Sequence, residues 1–472
     1  MAGHSAPSVL GFALVGLAMS LIPAACAQES TVNFRHLRGL TETIAFAGDS
    51  VDIVHVYSNY PDYQWFDAAD AGVEGTACVD DAARAAVLYL RHYELEGDNR
   101  SLGEARRLLK FVLGMQTADG MFYNFVHRDH TINTTGRTSS KSFGWWAARA
   151  TWALGTGYRV FLAVDPPFAA KLGEALDRCL PHVSALLQRD GEISTTDGYR
   201  IPHWLLYESG ADATSELLLG LTEYASARND RAILQMIQRL ANGLMVMQDG
   251  SATQQPYGLH RSWETMWHMW GNSQTEFLAD AGKRFHDSTM ISSAKREAEG
   301  FYSRLLIDGF EKEFDVTRKD SVVRFEQIAY AVRPMAVGLI RLFEATKNRR
   351  YLIMAGLTAS WLFGDNAAGV PMYDPTTGRG YDGVRDSTTI NRNSGAESTI
   401  EALMTILEVQ HTDGGSHYFN FKKQRIAHTE EWRSALYVNP NGEEVSVAIN
   451  TRSGKLVVLE NQESRAFQNT LR

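Results

Sequence analysis

Apolar residues recur at helical spacing in six long stretches: Cys78 to Tyr93, Phe143 to Phe161, Ala211 to Ala227, Gln274 to Phe285, Phe325 to Ala345 and Ala396 to Val409. Between them lie amphipathic stretches with a charged face, Leu102 to Met115, Phe168 to Leu187, Arg231 to Met247 and Ile291 to Leu306. Each repeat thus reads as one helix buried on most sides followed by one helix with a wet side. The punctuation repeats as well. Asp119-Gly120, Asp190-Gly191, Asp249-Gly250 and Asp308-Gly309 follow the amphipathic helices at separations of 71, 59 and 59 residues. Asp-Gly marks a turn because Gly tolerates positive φ and Asp bonds its own backbone two residues on.

A two-helix repeat of this length predicts a helical solenoid or, with six units, a ring closed on itself. The count of six favours closure, with the apolar helices inside and the charged ones outside. The sixth apolar helix lacks a following partner of equal quality, and Asn33 to Ala47 is expected to supply a helix that zips the ring. Beyond residue 430 the period changes. Leu436 to Val438, the turn Asn439-Pro440-Asn441-Gly442, Val445 to Ile449, Thr451 to Gly454 and Leu456 to Leu459 read as a small antiparallel β appendage. The expected organisation is an export signal over 1–27, one helical domain over 28–429 and a β-rich tail over 430–472.

The export signal rests on residues 1–28, which hold no Asp, Glu, Lys or Arg, and on the apolar run from Val9 that ends in Ala25-Cys26-Ala27. The run is short for a membrane span. The expected location is therefore periplasmic or secreted; a lipid anchor on Cys26 is the alternative, against which Pro23 stands where a Leu is usual. Composition is that of a globular chain, with 44% apolar and 21% charged residues. A net charge of −9 argues against nucleic acid or an anionic membrane as partner. The pair Cys78 and Cys179 reads as two buried thiols.

In a closed ring the starts of the inner helices converge on one mouth, and these starts are rich in carboxylates and aromatics. They carry Asp80, Asp81 and Arg84; Trp145, Trp146 and Arg149; Glu208 and Asp212; Trp263, Glu264, His268, Trp270 and Asn272; Glu326; and Glu397. Aromatics offer a pyranose its stacking faces and carboxylates bind its hydroxyls. A carboxylate at a helix start is equally the common choice for a cap or a partner of the helix dipole. No H-E-x-x-H, paired C-x-x-C, G-x-x-x-x-G-K-[ST] or G-x-S-x-G occurs, and neither metal nor cofactor is expected.

Three segments resemble a known domain. CVDDAARA (Cys78 to Ala85), ATWALG (Ala150 to Gly155) and NSGAEST (Asn393 to Thr399) are similar to the C-T-D-D-N-A-R-A, G-R-A-L-W-A-L-G and N-Q-G-A-E-S-T segments of a helical domain found behind some bacterial glycosyltransferases and as stand-alone exported proteins. The match runs in order over roughly residues 75 to 405, and Tyr207-Glu208 before Asp212 corresponds more loosely. The resemblance implies an all-α (α/α)6 toroid of six inner and about six outer helices, an architecture shared by glycoside hydrolases, sugar epimerases and some polysaccharide lyases. The chain departs from the pattern at Ala82, where Asn is usual, and at Ser394, where Gln is.

The expected activity is glycoside hydrolysis of an oligosaccharide or polysaccharide, with Asp80 or Asp81 and Glu397 as the acid and base of a carboxylate pair. The other mouth residues named above are expected to bind the sugar. A polysaccharide lyase using Tyr257, His260, His268 or Asn272, and a glycan-binding protein without catalysis, are the alternatives.

Overall fold

The computed structural model describes Met1 and residues 31–471 except 70, 71, 73 and 319; the expected export signal lies outside the described residues. The helices are α1 (Arg35–Gly39), α2 (Val79–Glu96), α3 (Asn99–Gly114), α4 (Trp145–Val164), α5 (Pro166–Leu186), α6 (Ala211–Arg228), α7 (Arg231–Val246), α8 (Gln274–Phe285), α9 (Ser288–Glu297), α10 (Ser303–Asp308), α11 (Ala329–Thr346), α12 (Arg349–Ala359), α13 (Ala396–Gln410) and α14 (Asn461–Thr470). The six apolar stretches are α2, α4, α6, α8, α11 and α13. Each packs on the next, and α13 packs back on α2. The amphipathic helices α3, α5, α7, α9 and α12 each lie against the apolar helix that precedes them.

Outer and inner helices start differently. Asp98, Asp165, Asp230, Asp287 and Asn348 cap α3, α5, α7, α9 and α12 through their side chains, whereas none of the six inner helices has a side-chain cap. The carboxylates at the inner starts are thus free for other work. Inner helices α2, α6, α8 and α11 end on Gly97, Asn229, His286 and Lys347 in the left-handed region, and the next residue is already the cap of the outer helix. The Asp-Gly turns carry φ of 89°, 87°, 76° and 109° at Gly120, Gly191, Gly250 and Gly309.

Two glycines set how closely α4 and α6 approach. A Cβ on Gly155 would lie 2.1 Å from the Gly220 carbonyl oxygen, and one on Gly220 2.1 Å from the Thr151 carbonyl oxygen.

At the C-terminal ends of the inner helices a belt of ion pairs runs round the ring. From Glu94 on α2 it passes to Arg159 on α4, Glu223 on α6 and Arg284 on α8. Beside Arg284, Lys283 reaches Glu344 on α11 (3.6 Å), whose neighbour Arg341 (3.0 Å) holds Glu408 on α13 (2.9 Å). Arg91 takes Glu408 at 2.6 Å and returns to Glu94 at 3.0 Å. Cations near helix C-termini also meet the negative ends of the dipoles.

Several expectations need correction. Segment 33–47 is not a helix: after the short α1, Thr41–Phe46 pairs antiparallel with Asp49–Val54 across Ala47 and Gly48, both at positive φ. Its β-branched Thr41, Thr43 and Ile44 suit a strand, and a two-residue turn with both φ positive is the hairpin type. Against α13 lie both the short α1 and the 3-10 segment Gly415–Asn420, the latter packed mainly on α12. Nor is the chain all-α outside its tail: seven two-stranded sheets occur among the described residues. The tail sheet has four strands in sequence order, Lys422–His428, Trp432–Val438, Glu444–Asn450 and Leu456–Glu460. It starts before residue 430, on a strand (KKQRIAH) with little apolar alternation, and is followed by α14, whose only apolar residues are Ala466 and Phe467. Among the described residues no helix is long and apolar enough to cross a membrane.

Gly155→Ala is expected to cost about 1–3 kcal/mol through overpacking, measured as a shift in the chemical unfolding midpoint. Burial pushes the Glu408 carboxyl up, but Arg341 and Arg91 outweigh it and pull it from 4.5 down to about 2. A depressed carboxylate contributes stability that is present above its unfolded value and lost as pH falls through the folded one. Unfolding midpoints should therefore drop between pH 4.5 and about 2. Glu408→Gln should lose about 3 kcal/mol near neutral pH and show a shallower acid limb; equal limbs would refute the role of this pair.

Candidate functional site

The opposite end of the ring, where the inner helices start, is an open mouth in two joined compartments. One, of about 410 Å³, is walled by Tyr57, Cys78, Asp81, Arg84, Glu326, Asp382 and Asn391. The other, of about 470 Å³, is walled by Asn124, Thr138, Trp145, Trp146, Trp270 and Tyr330. Glu74, Asp80, Phe125, Arg149, Ile328 and Glu397 line both and form the divide.

Asp80 and Arg84 on α2 meet α4 and α13 because the ring closes. Arg84 donates through Nη2 to Asp81 (2.7 Å) and through Nη1 to Glu397 (2.9 Å) and Glu401 (3.3 Å). Asp80 lies 3.0 Å from Arg149 Nη1 and accepts from Asn124 Nδ2 at 3.0 Å. The Arg149 nitrogen stands off the hydrogen-bonding direction of Asp80 Oδ1, which is left without a hydrogen bond. Arg149 also donates to Glu216 (3.0 Å) and to the Tyr330 hydroxyl (2.6 Å), which in turn donates to Glu216.

Below the mouth the same network continues down the axis. Arg333 takes Glu276 at 2.6 Å, Glu401 at 2.9 Å and Glu216 at 3.6 Å. Burial raises the carboxyls of Asp81 and Glu401 against the pull of their arginines, and pushes Glu276 up to about 7, which Arg333 only partly offsets. The Cys78 thiol is pushed well up by burial, so it stays protonated and donates to Asp81 Oδ2 at 3.3 Å.

The two adjacent aspartates therefore differ. Asp81 is sealed, with its side chain 4% exposed and both oxygens occupied. Asp80 is 16% and Glu397 41% exposed, and both face the divide. A further open oxygen belongs to Glu326, whose Oε1 is buried without a hydrogen-bond partner at the cavity wall.

The expected residues Asp80, Asp81, Arg84, Trp145, Trp146, Arg149, Trp270, Glu326 and Glu397 are brought together here. The remaining six line neither compartment. Glu208 is 65% exposed and pairs outward with Arg189, because Tyr207 and Glu208 both take positive φ and turn the other way. The Tyr207 hydroxyl accepts from Trp145 N at 2.9 Å over Gly144, where a Cβ would lie 1.9 Å from it. Asp212 is buried on His268 Nε2 at 2.8 Å, and the His268 ring is stacked on Trp270 and packed by Trp263. Asn272 accepts from Ser262 and Gln274 in the same buried network, and Glu264 is exposed on its loop. Asp212, His268 and Asn272 thus lie in one buried hydrogen-bonded network beneath Trp270. The alternative base Tyr257 packs under Arg304, and His260 is buried between Glu297 and Ser293.

Sequence reasoning missed Asp382, Glu74 and Tyr57, which lie on loops or short strands without helical period. Asp382 Oδ1 accepts from Gly395 N (3.0 Å) and Ser398 Oγ (2.8 Å), and burial, with Glu397 close by, raises its carboxyl.

No protein-family model and no curated protein matches the chain. Its fold is similar to that of a cellobiose 2-epimerase from Spirochaeta thermophila, with a TM-score of 0.52 and 12% identity over 77% of this chain and 94% of that one. A sugar epimerase from a ruminal bacterium matches with a TM-score of 0.51 and 12% identity over 75% of this chain and 96% of its own. A D-mannose isomerase does so with 0.51 and 12% over 75% and 93%. At such identity the likeness is one of fold.

Proposed function

We propose that the chain is a carbohydrate-active enzyme on an (α/α)6 toroid, and specifically a glycoside hydrolase whose carboxylate pair is Asp80 and Glu397. The observation that carries this reading is the divide: two partly exposed carboxylates, from the first and last inner helices, face one open mouth flanked by aromatic rings. One carboxyl protonates the leaving oxygen and the other deprotonates the attacking water. Arg149 and Arg84 hold the two side chains in place, and Asp81, sealed by Arg84 and Cys78, supports Arg84 rather than meeting substrate. The apolar N-terminal stretch ending in Ala25-Cys26-Ala27 supports action outside the cytoplasm.

The charge of the mouth speaks against the lyase alternative. Glu74, Asp80, Asp81, Glu326, Asp382 and Glu397 outnumber Arg84 and Arg149, so a uronate would meet repulsion where a neutral or amino sugar would not. Epimerisation is the second reading, favoured by the fold shared with the sugar epimerases.

The test is incubation with neutral and amino-sugar oligosaccharides, reading new reducing ends, and in heavy water reading deuterium at C2. Hydrolysis that falls about 10²–10⁴-fold in Asp80→Asn and in Glu397→Gln, with cooperative melting retained, is expected. Deuterium uptake without new reducing ends would replace hydrolysis by epimerisation. Unchanged turnover in both variants would remove the pair.

A further inference from the structure

The hairpin formed by Tyr57–Asn59 and Gln64–Phe66 stands beside the mouth and belongs to neither helix layer. Tyr57 and Phe66 are directly opposite in its register and their rings stack at 5.7 Å and 13°. Tyr57 lines the compartment that holds Asp81 and Glu326, while Phe66 lies beyond it and is 42% exposed. The hairpin is tied to the catalytic end of α13: Ala396 N donates to the Val56 carbonyl at 3.1 Å, and a Cβ on Gly395 would lie 3.3 Å from the Tyr57 ring. The position of the two rings is thus coupled to that of Glu397, one residue further on.

On the far side of the divide stand Trp145, Trp146 and Trp270. Trp270 is braced by the buried His268 ring at 4.0 Å, and Trp145 by the Arg149 guanidinium at 5.0 Å. The carboxylate pair therefore sits between two aromatic walls, with the cavity open to both. A site for one sugar would need only one of them. An outward ring continuous with a sugar site suits the C-H face of a further pyranose.

Resting on the glycosidase reading, we infer that the substrate is an extended glycan chain that crosses the divide, with one part among Trp145, Trp146 and Trp270 and the other leaving over Tyr57 onto Phe66. The hairpin is then an outer binding platform that selects chain length. The bond over Asp80 and Glu397 lies inside the chain rather than at an end sealed in a pocket.

The experiment uses the full chain with Glu397→Gln, so that binding is read without turnover. Calorimetry with cello-, manno-, xylo- and chitosan oligosaccharides of two and six units measures affinity in this background and with Phe66→Ala or Phe66→Trp added. The expected result is that Phe66→Ala weakens the six-unit ligand about five- to tenfold more than the two-unit ligand, and that Phe66→Trp restores it. An equal loss for both lengths, or no loss for either, would overturn the platform while leaving sugar binding at the mouth in place. If no oligosaccharide of any length binds, the glycosidase reading fails and the platform with it.

Discussion

Three buried guanidiniums on the ring axis, those of Arg84, Arg149 and Arg333, hold the structure in register. Between them they meet carboxylates from α2, α6, α8 and α13, and α4 and α11 supply Arg149 and Arg333 themselves. Each ion removed from water loses several kcal/mol of hydration and recovers it only through partners in good geometry. A ring with one helix rotated or displaced would strand at least one of these charges. Apolar packing alone accepts many near-equivalent arrangements of smooth helices; this column admits few.

The two ends of the ring use charge in opposite ways. At the C-terminal ends nearly every ion has its counterion in the belt, and the geometry is self-contained. At the N-terminal ends carboxylates are in excess. The inner helices give up side-chain caps there, while five outer helices are capped by Asp or Asn. Asp80 Oδ1 and Glu326 Oε1 are left without hydrogen bonds. A buried oxygen without a hydrogen bond costs stability, which at Asp80 the Arg149 guanidinium at 3.0 Å offsets in part. The belt and the axial column supply the rigidity against which the mouth can hold them.

The helix pairs were legible because apolar period and Asp-Gly turns both report local structure. Starts were least legible where the mouth intrudes: Phe325 and Ile328 extend the apolar period, but Glu326 lines the cavity and α11 begins only at Ala329. The axial ions carried a signal that hydrophobic reading passes over. Arg84 and Arg91, Glu216 and Glu223, Glu276 and Lys283, and Glu401 and Glu408 are each seven residues apart, two turns on one helix face. In each pair the first lies on the column or just under the mouth, and the second is in the belt. Asp382 and Tyr57 had no such signal, since their places depend on hairpins whose contacts to α13 are long-range.

The departures from the resembling domain fall away from both cavity compartments. Ala82 is fully buried among the inner helices, so an Asn there would face packing rather than substrate. Ser394 bonds Thr399 within the α13 start, and its carbonyl meets His36 of α1. Neither alters the divide, where Asp80 and Glu397 themselves stand at positions that the pattern shares. Two further elements of the cavity wall, Asp382 and the Tyr57–Phe66 hairpin, lie on loops outside the three resembling segments. In a ring whose inner faces are committed to ion pairs, loops are the place where substrate preference can change without unsettling the fold.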